Sequence, residues 1–165
     1  MKTIIPDEYW TGKDLLESEC PWLVPEAIAK LDEIDMSEMD VLEFGAGGST
    51  IFFARRAKSV TSLEISEEWF KKIMDEITNK RLNNVHLCSQ IDDIDINKHY
   101  GIILIDSSGD RKEILNLVQH LYNDQTIIVI DNYAEYNMIV YGAKVELYDD
   151  PNWNGKGTMI IRKHE

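Results

Sequence analysis

The residues with usable chemistry fall where apolar runs give way to polar turns. The stretch VLEFGAGGST, Val41 to Thr50, is a short apolar run with Glu43 inside it and a glycine-rich turn behind it. Gly45 and Gly47 permit a tight turn and a close approach of backbone to a ligand. Ser49 or Thr50 can cap a following helix, whose first amides would face the same place. Further acids stand at the ends of later apolar runs: Glu64 after VTSL, Asp106 after GIILI, and Asp131 with Asn132 after TIIVI. A carboxylate about 20 residues beyond a glycine turn can accept both hydroxyls of a ribose. Alone, Glu64 is as readily a solvated strand end; downstream of this turn it reads as a ribose ligand. Three oxygen donors at neighbouring strand ends can hold Mg²⁺.

Three ligands suit such a turn. A nucleoside triphosphate wants a Lys and a Ser or Thr after the glycines, and no Lys follows here. A dinucleotide wants the pattern G-x-G-x-x-G, and its third position is Thr50. S-adenosylmethionine carries no phosphate and presents a cationic sulfonium and amino group. Glu43, two residues before Gly45, repels a pyrophosphate and favours such a cation.

The elements that must position these groups alternate. The sequence predicts a helix in PWLVPEAIAKLDEI, with Val24, Ile28, Leu31 and Ile34 on one face and Pro25 tolerated at its start. It then predicts strand DVLEF, helix STIFFARRA, strand SVTSLEI and helix SEEWFKKIMDEITN, capped by Ser66. Strand NVHLC, strand GIILID, helix RKEILNLVQHLY and strand TIIVID follow, then a short helical piece NMIVYGA. KVELY and TMIIR, joined by the turn DDPNWNGKG, should pair antiparallel. The expected fold is α/β: a doubly wound, mostly parallel sheet with an antiparallel C-terminal strand. In such a sheet ligands sit outside the carboxyl ends of the strands, where EFGAGGS is placed.

The bulk composition narrows the partners. The 165 residues carry 17 basic and 30 acidic side chains, a net charge of −13. That surface repels phosphate backbones and anionic lipid, so nucleic acid and membrane are disfavoured as partners. Cys20 and Cys88 have no metal-like spacing and read as reduced thiols. MKTIIPDEYW does not read as a signal peptide, and no apolar run is long enough to span a bilayer. The expectation is a soluble, cytoplasmic protein, and a homo-oligomer is compatible with it.

Taken in order and spacing, VLEFGAGGST, VTSLEIS, LCSQ, IILIDSSGDR and IIVIDNY resemble the class I S-adenosylmethionine-dependent methyltransferases over nearly the whole chain. Within the class the chain is similar to the small catechol-type O-methyltransferases and to bacterial and phage methyltransferase-like proteins. The resemblance implies one domain over 1–165, with a helical cap segment at 1–40 and a cofactor-binding core at 41–165, built on the Rossmann-like methyltransferase fold. It implies that Glu43, Gly45, Ala46 and Gly47 hold the amino-acid end of S-adenosylmethionine. Glu64 would take the ribose, Ile65 would pack on adenine, and Ser89 and Gln90 would touch adenine edges, with Asp106 also near the cofactor. It implies catalytic roles for Asp106 and Asp131, and Mg²⁺ on Asp106, Asp131 and Asn132. The implied acceptor is an oxygen of a small molecule. One departure stands out: the catechol-type general-base lysine falls on Gly109, and Lys112 follows three residues later. That departure leaves room for a methyltransferase-like module that binds cofactor or partner without catalysis. His99, Tyr133 and Tyr136 are further candidates near the site, and Trp10, Trp22 and Trp153 could form an aromatic lid.

Overall fold

The computed structural model describes residues 3, 12–136, 140, 142–150 and 156–162. Seven strands form one sheet: β1 (Asp40–Phe44), β2 (Ser59–Leu63), β3 (Val85–Cys88), β4 (Ile102–Ile105), β5 (Ile127–Asp131), β6 (Lys144–Tyr148) and β7 (Thr158–Arg162). Their order is β3-β2-β1-β4-β5-β7-β6. The first five are parallel, and β7 is antiparallel to both β5 and β6. The doubly wound sheet with an antiparallel C-terminal strand is therefore as the sequence predicts.

The helices are α1 (Gly12–Ser18), α2 (Pro25–Asp32), α3 (Gly48–Ala54), α4 (Glu67–Asn79) and α5 (Arg111–Leu117). Pro25 occupies the first turn of α2, and Val24, Ile28 and Leu31 are buried as the helical spacing requires. Ser66 caps α4 by accepting from the Trp69 amide at 3.3 Å. The predicted helix over 111–122 breaks instead: it ends at Leu117 and resumes as a short 3₁₀ turn at Gln119–Leu121. Val118 and Leu121 still reach the core through this tighter turn. On α4 only Ile73 and Ile77 are buried, and Met74 is exposed.

Strand alternation distributes the core over both sheet faces. Val41, Ile102, Leu104 and Val129 pack on one face with Ile28, Leu31, Phe52 and Phe53 of α2 and α3. Leu42, Ile103, Ile105, Ile128 and Ile130 pack on the other with Val118 and Leu121. Being covered on both sides, the central strands are apolar at consecutive positions.

The N-terminal segment, packed on the sheet through α2, also meets α3 at one tight point. A Cβ on Gly48 would meet the carbonyl oxygen of Leu15 at 2.5 Å and run into the carbonyl oxygen of Cys20. Gly48 thus lets the end of α1 lie against the start of α3. Gly48→Ala should cost about 1–3 kcal/mol by overpacking, read as a lowered urea midpoint with an unchanged slope.

Candidate functional site

The strand order reverses between β1 and β4, and a cleft of about 870 Å³ opens at the carboxyl ends of the strands there. Its floor is the glycine turn. Gly45 has φ +95°, and a Cβ there would lie 2.7 Å from the Asp106 carbonyl oxygen. The turn therefore needs glycine twice over, for its backbone angle and for its contact with the end of β4. Gly47 differs. Its backbone is extended, and the nearest atom to a Cβ would be the Ser49 hydroxyl at 4.0 Å. Among the described residues nothing demands glycine at 47, and Gly47 lines the cleft.

Glu43 lies beneath the turn and is not part of the cleft lining. It is wholly buried, and three hydroxyls donate to it: Thr50 Oγ1 at 2.6 Å, Ser62 Oγ at 2.5 Å, and Ser49 Oγ. Thr50 Oγ1 also accepts from the Gly47 amide at 3.0 Å. The expectation that Glu43 faces the ligand is corrected. Its carboxylate is the anchor of the turn, and Ser49 and Thr50 point inward to it from the first turn of α3. The cap position of that helix is Gly47. Burial pushes the Glu43 pKa up to about 7, against the pull of the three hydroxyls, and Glu64 adds to the rise.

Glu64 does face the cleft. It ends β2, is buried, and accepts two backbone amides: Ala46 to Oε2 at 3.2 Å and Ser66 to Oε1 at 2.7 Å. Each oxygen keeps lone-pair capacity for a further donor. Ile65 follows in the lining, 65% exposed. Ser89 and Gln90 do not: both are exposed and outside the lining, while Ile91 joins it. The short 3₁₀ turn at Ile91–Asp93 presents an apolar side chain in place of the expected polar pair.

Asp106, Asp131 and Asn132 all line the other end of the cleft. Between the two acids lies Arg111, only 4% exposed. Its Nε donates to the Asp131 carbonyl at 3.2 Å, and an Nη stands 3.5 Å from Asp106 Oδ1. The guanidinium also lies over the Tyr136 ring at 5.2 Å. Burial and the nearby Asp131 charge push Asp106 well above the ordinary carboxylate range, with Arg111 opposing. Burial raises Asp131 to about 7 against hydrogen bonds that favour its charged form. Thr158 Oγ1 donates to Asp131 Oδ1, and the Asn132 amide group to Oδ2, both at 2.9 Å.

This donor set does not fit Mg²⁺. Asn132 Oδ1 already accepts the Lys156 amide at 2.8 Å, and Arg111 supplies the positive charge between the acids. Among the described residues no group of three or more His, Cys, Asp or Glu side chains is placed to hold a metal ion. Of the other candidates, His99 is exposed and outside the lining. Tyr133 turns away to donate to Asp149 Oδ2 at 2.8 Å. Tyr136 and Trp22 line the cleft; Trp10 and Trp153 lie outside the described residues.

Sequence reasoning missed Arg111, Trp69 and Ile91. Arg111 directly follows Asp110, which caps α5 by accepting from the Lys112 amide at 2.8 Å. An arginine in the first helical turn after a strand-end acid is a usable signal. Trp69 reads as core on a helical face, yet its indole donates to the Ala46 carbonyl at 2.5 Å and lines the cleft.

No family model matches the chain, and no curated protein matches it. Solved structures do. An rRNA methylase from Streptococcus thermophilus superposes with a TM-score of 0.66 at 16% identity, over 82% of this chain and 92% of that one. A ribosomal protein L11 methylase from Lactobacillus delbrueckii subsp. bulgaricus gives 0.60 at 16%, over 88% and 84%. An SAH-bound methyltransferase from Podospora anserina gives 0.60 at 14%, over 77% and 72%. The fold is the Rossmann-like α/β fold of S-adenosylmethionine-dependent methyltransferases. No helix among the described residues is long and apolar enough to cross a membrane.

The Glu43 anchor carries a pH signature. Its folded pKa of about 7 exceeds the ordinary 4.5. Its contribution to stability is therefore fully present below pH 4.5 and lost as pH rises through about 7. Glu43→Gln does not titrate. Between pH 4.5 and 7.5 its stability should improve relative to the natural protein by on the order of 3 kcal/mol, measured by urea unfolding at both pH values. Asp131 titrates in both proteins; the Glu43 charge also raises Asp106, so part of the change passes through that acid.

Proposed function

We propose that the protein is an S-adenosylmethionine-dependent methyltransferase acting on an oxygen of a small molecule. The observation that carries the cofactor half is Glu64, a cleft-lining carboxylate held at the end of β2 by two backbone amides. A carboxylate fixed in that way, with acceptor capacity to spare, suits the paired hydroxyls of a ribose. Gly45, Ala46 and Gly47 bring backbone close to the amino-acid end, and the room beside Gly47 favours a ligand there. Ile65 and Ile91 offer apolar surface for adenine. Glu43 serves this half indirectly, by fixing the turn. When bound, the cofactor supplies an activated methyl group, so the protein's own task is alignment and proton removal.

The acceptor half is the acid pair. A neutral hydroxyl must lose its proton as it takes the methyl group. Carboxylates whose pKa is raised by burial are stronger bases and are suited to receive that proton. Asp106 is the better placed, because both oxygens of Asp131 already accept from Thr158 and Asn132. Asp131 and Arg111 then tune the charge of Asp106. Among the described residues the cleft lining holds one basic side chain, Arg111, against Glu64, Asp106, Asp131 and Glu135. That balance favours a small acceptor over a phosphate backbone. A second reading, cofactor binding without transfer, is favoured by Gly109 at the expected lysine position and by the exposure of Lys112. Binding without transfer to any acceptor class would select it.

S-adenosylmethionine at about 100 times its dissociation constant should stabilise the protein by roughly 2.7 kcal/mol, seen as a raised melting temperature. Glu64→Ala should abolish that shift. Gly47→Ala should fold normally and yet lose most of it, because its added Cβ meets only cleft space. No shift with the natural protein would remove the whole reading. With labelled cofactor, transfer should be found in a panel of hydroxylated small molecules and be absent from RNA and protein panels. Asp106→Asn should lower that transfer by about 100-fold or more while the melting shift persists.

A further inference from the structure

We infer that Trp69 is a positioning residue for the cofactor, acting through the Ala46 peptide and Glu64. The inference rests on the cofactor half of the proposed reading. Four hydrogen bonds make a closed ring. The Trp69 indole N–H donates to the Ala46 carbonyl at 2.5 Å, and the Ala46 amide donates to Glu64 Oε2 at 3.2 Å. The Ser66 amide donates to Glu64 Oε1 at 2.7 Å, and Ser66 Oγ accepts from the Trp69 amide at 3.3 Å. The ring ties three separate elements together: the turn after β1, the end of β2, and the first turn of α4.

Ala46 sits between Gly45, whose amide is held by the Leu63 carbonyl at 2.9 Å, and Gly47, whose amide is held by Thr50 Oγ1 at 3.0 Å; its own carbonyl and amide are bonded within the ring. The indole holds the carbonyl of the Ala46–Gly47 peptide, and the Gly45–Ala46 peptide on the other side of the same Cα gives its N–H to Glu64. The lengths of the two links also differ: the Ala46 bond to Glu64 is the longer of that carboxylate's two backbone bonds. Loss of the indole donor therefore acts first on the Ala46 side, where Glu64 is held less tightly. Trp69 is partly exposed and lines the cleft, so its ring is not simply core. Its neighbour Lys72 lies over the ring at 5.5 Å from the outer side.

The test replaces the donor and keeps the shape. The indole of Trp69 is exchanged for benzothiophene, by incorporating benzothienylalanine into a protein whose other three tryptophans are changed to Phe. Trp69→Phe is made in parallel in the natural background. Dissociation constants for S-adenosylmethionine are measured by calorimetry, against the matching parent protein in each case. Loss of one hydrogen bond to a carbonyl should weaken binding by about tenfold, while the ligand-free melting temperature stays within a few degrees. A structural role alone would not move a second readout, the preference for adenosine over 2′-deoxyadenosine. That preference should shrink in both variants, because Glu64 is no longer held for the hydroxyls. An unchanged dissociation constant and preference would overturn the inference. So would loss of folding in both variants, which would make Trp69 a packing residue. If the natural protein binds no S-adenosylmethionine, the proposed function fails instead, and that result is seen before any variant is made.

Discussion

A buried carboxylate under a flexible turn is the constraint on which the site depends. Glu43 is taken fully out of water within a strand, and an isolated charge there would be very costly. Three hydroxyls offset that cost. They come from two elements: Ser49 and Thr50 from the start of α3, and Ser62 from β2. Satisfying one acid therefore fixes the start of α3 relative to two adjacent strands. Thr50 adds a bond back to the Gly47 amide and so ties the turn itself into the network. The glycines make the turn possible, but they do not choose its shape. Glu43 and its hydroxyls choose it from below, and Trp69 and Glu64 hold it from above.

The two ends of the cleft differ in their electrostatics. At the Glu64 end, an acid is held by two backbone amides. At the other end, two acids crowd a single buried guanidinium. There burial raises both carboxyls, the Asp131 charge adds to the rise of Asp106 and the Glu135 charge to that of Asp131, and Arg111 limits both. A buried arginine whose bonds are long, 3.2 and 3.5 Å, is a loose clamp. It balances charge more than it fixes geometry. Fixing falls to Thr158 and Asn132, which belong to or follow the antiparallel pair of strands β5 and β7. The antiparallel C-terminal strand thus has a local task beside closing the sheet: its first residue holds Asp131.

The N-terminal segment meets the site through backbone contact and through side chains. Gly48 accepts the end of α1 against the start of α3, while Leu15 and Trp22 reach the cleft. Cap and core are therefore joined at the glycine turn itself. Gly48, the third glycine of GAGG, has this packing role. Its partner lies some thirty residues upstream, beyond the range of any local pattern.

What the sequence determined by itself was periodicity and order. Apolar runs of the right length, broken by Gly, Asp and Ser, set the strands at nearly their observed bounds, and β1, β6 and β7 match residue for residue. The alternation of strand and helix implied the parallel sheet, and the sheet implied a cleft at its carboxyl ends. The turn residues, Glu64, Ile65, Asp106, Asp131 and Asn132 were legible because each sits at a strand end, where local sequence and site position coincide. What only the tertiary structure decided was the direction each side chain faces. Glu43 turned inward because hydroxyls from β2 and α3 met it there. Asn132 spent its oxygen on Lys156, so the metal triad did not assemble. Ser89 and Gln90 were bypassed in favour of Ile91. Arg111 and Trp69 entered the site from helices whose first turns happen to overhang it. Local patterns report which residues begin and end an element; long-range contact decides which of them see the ligand.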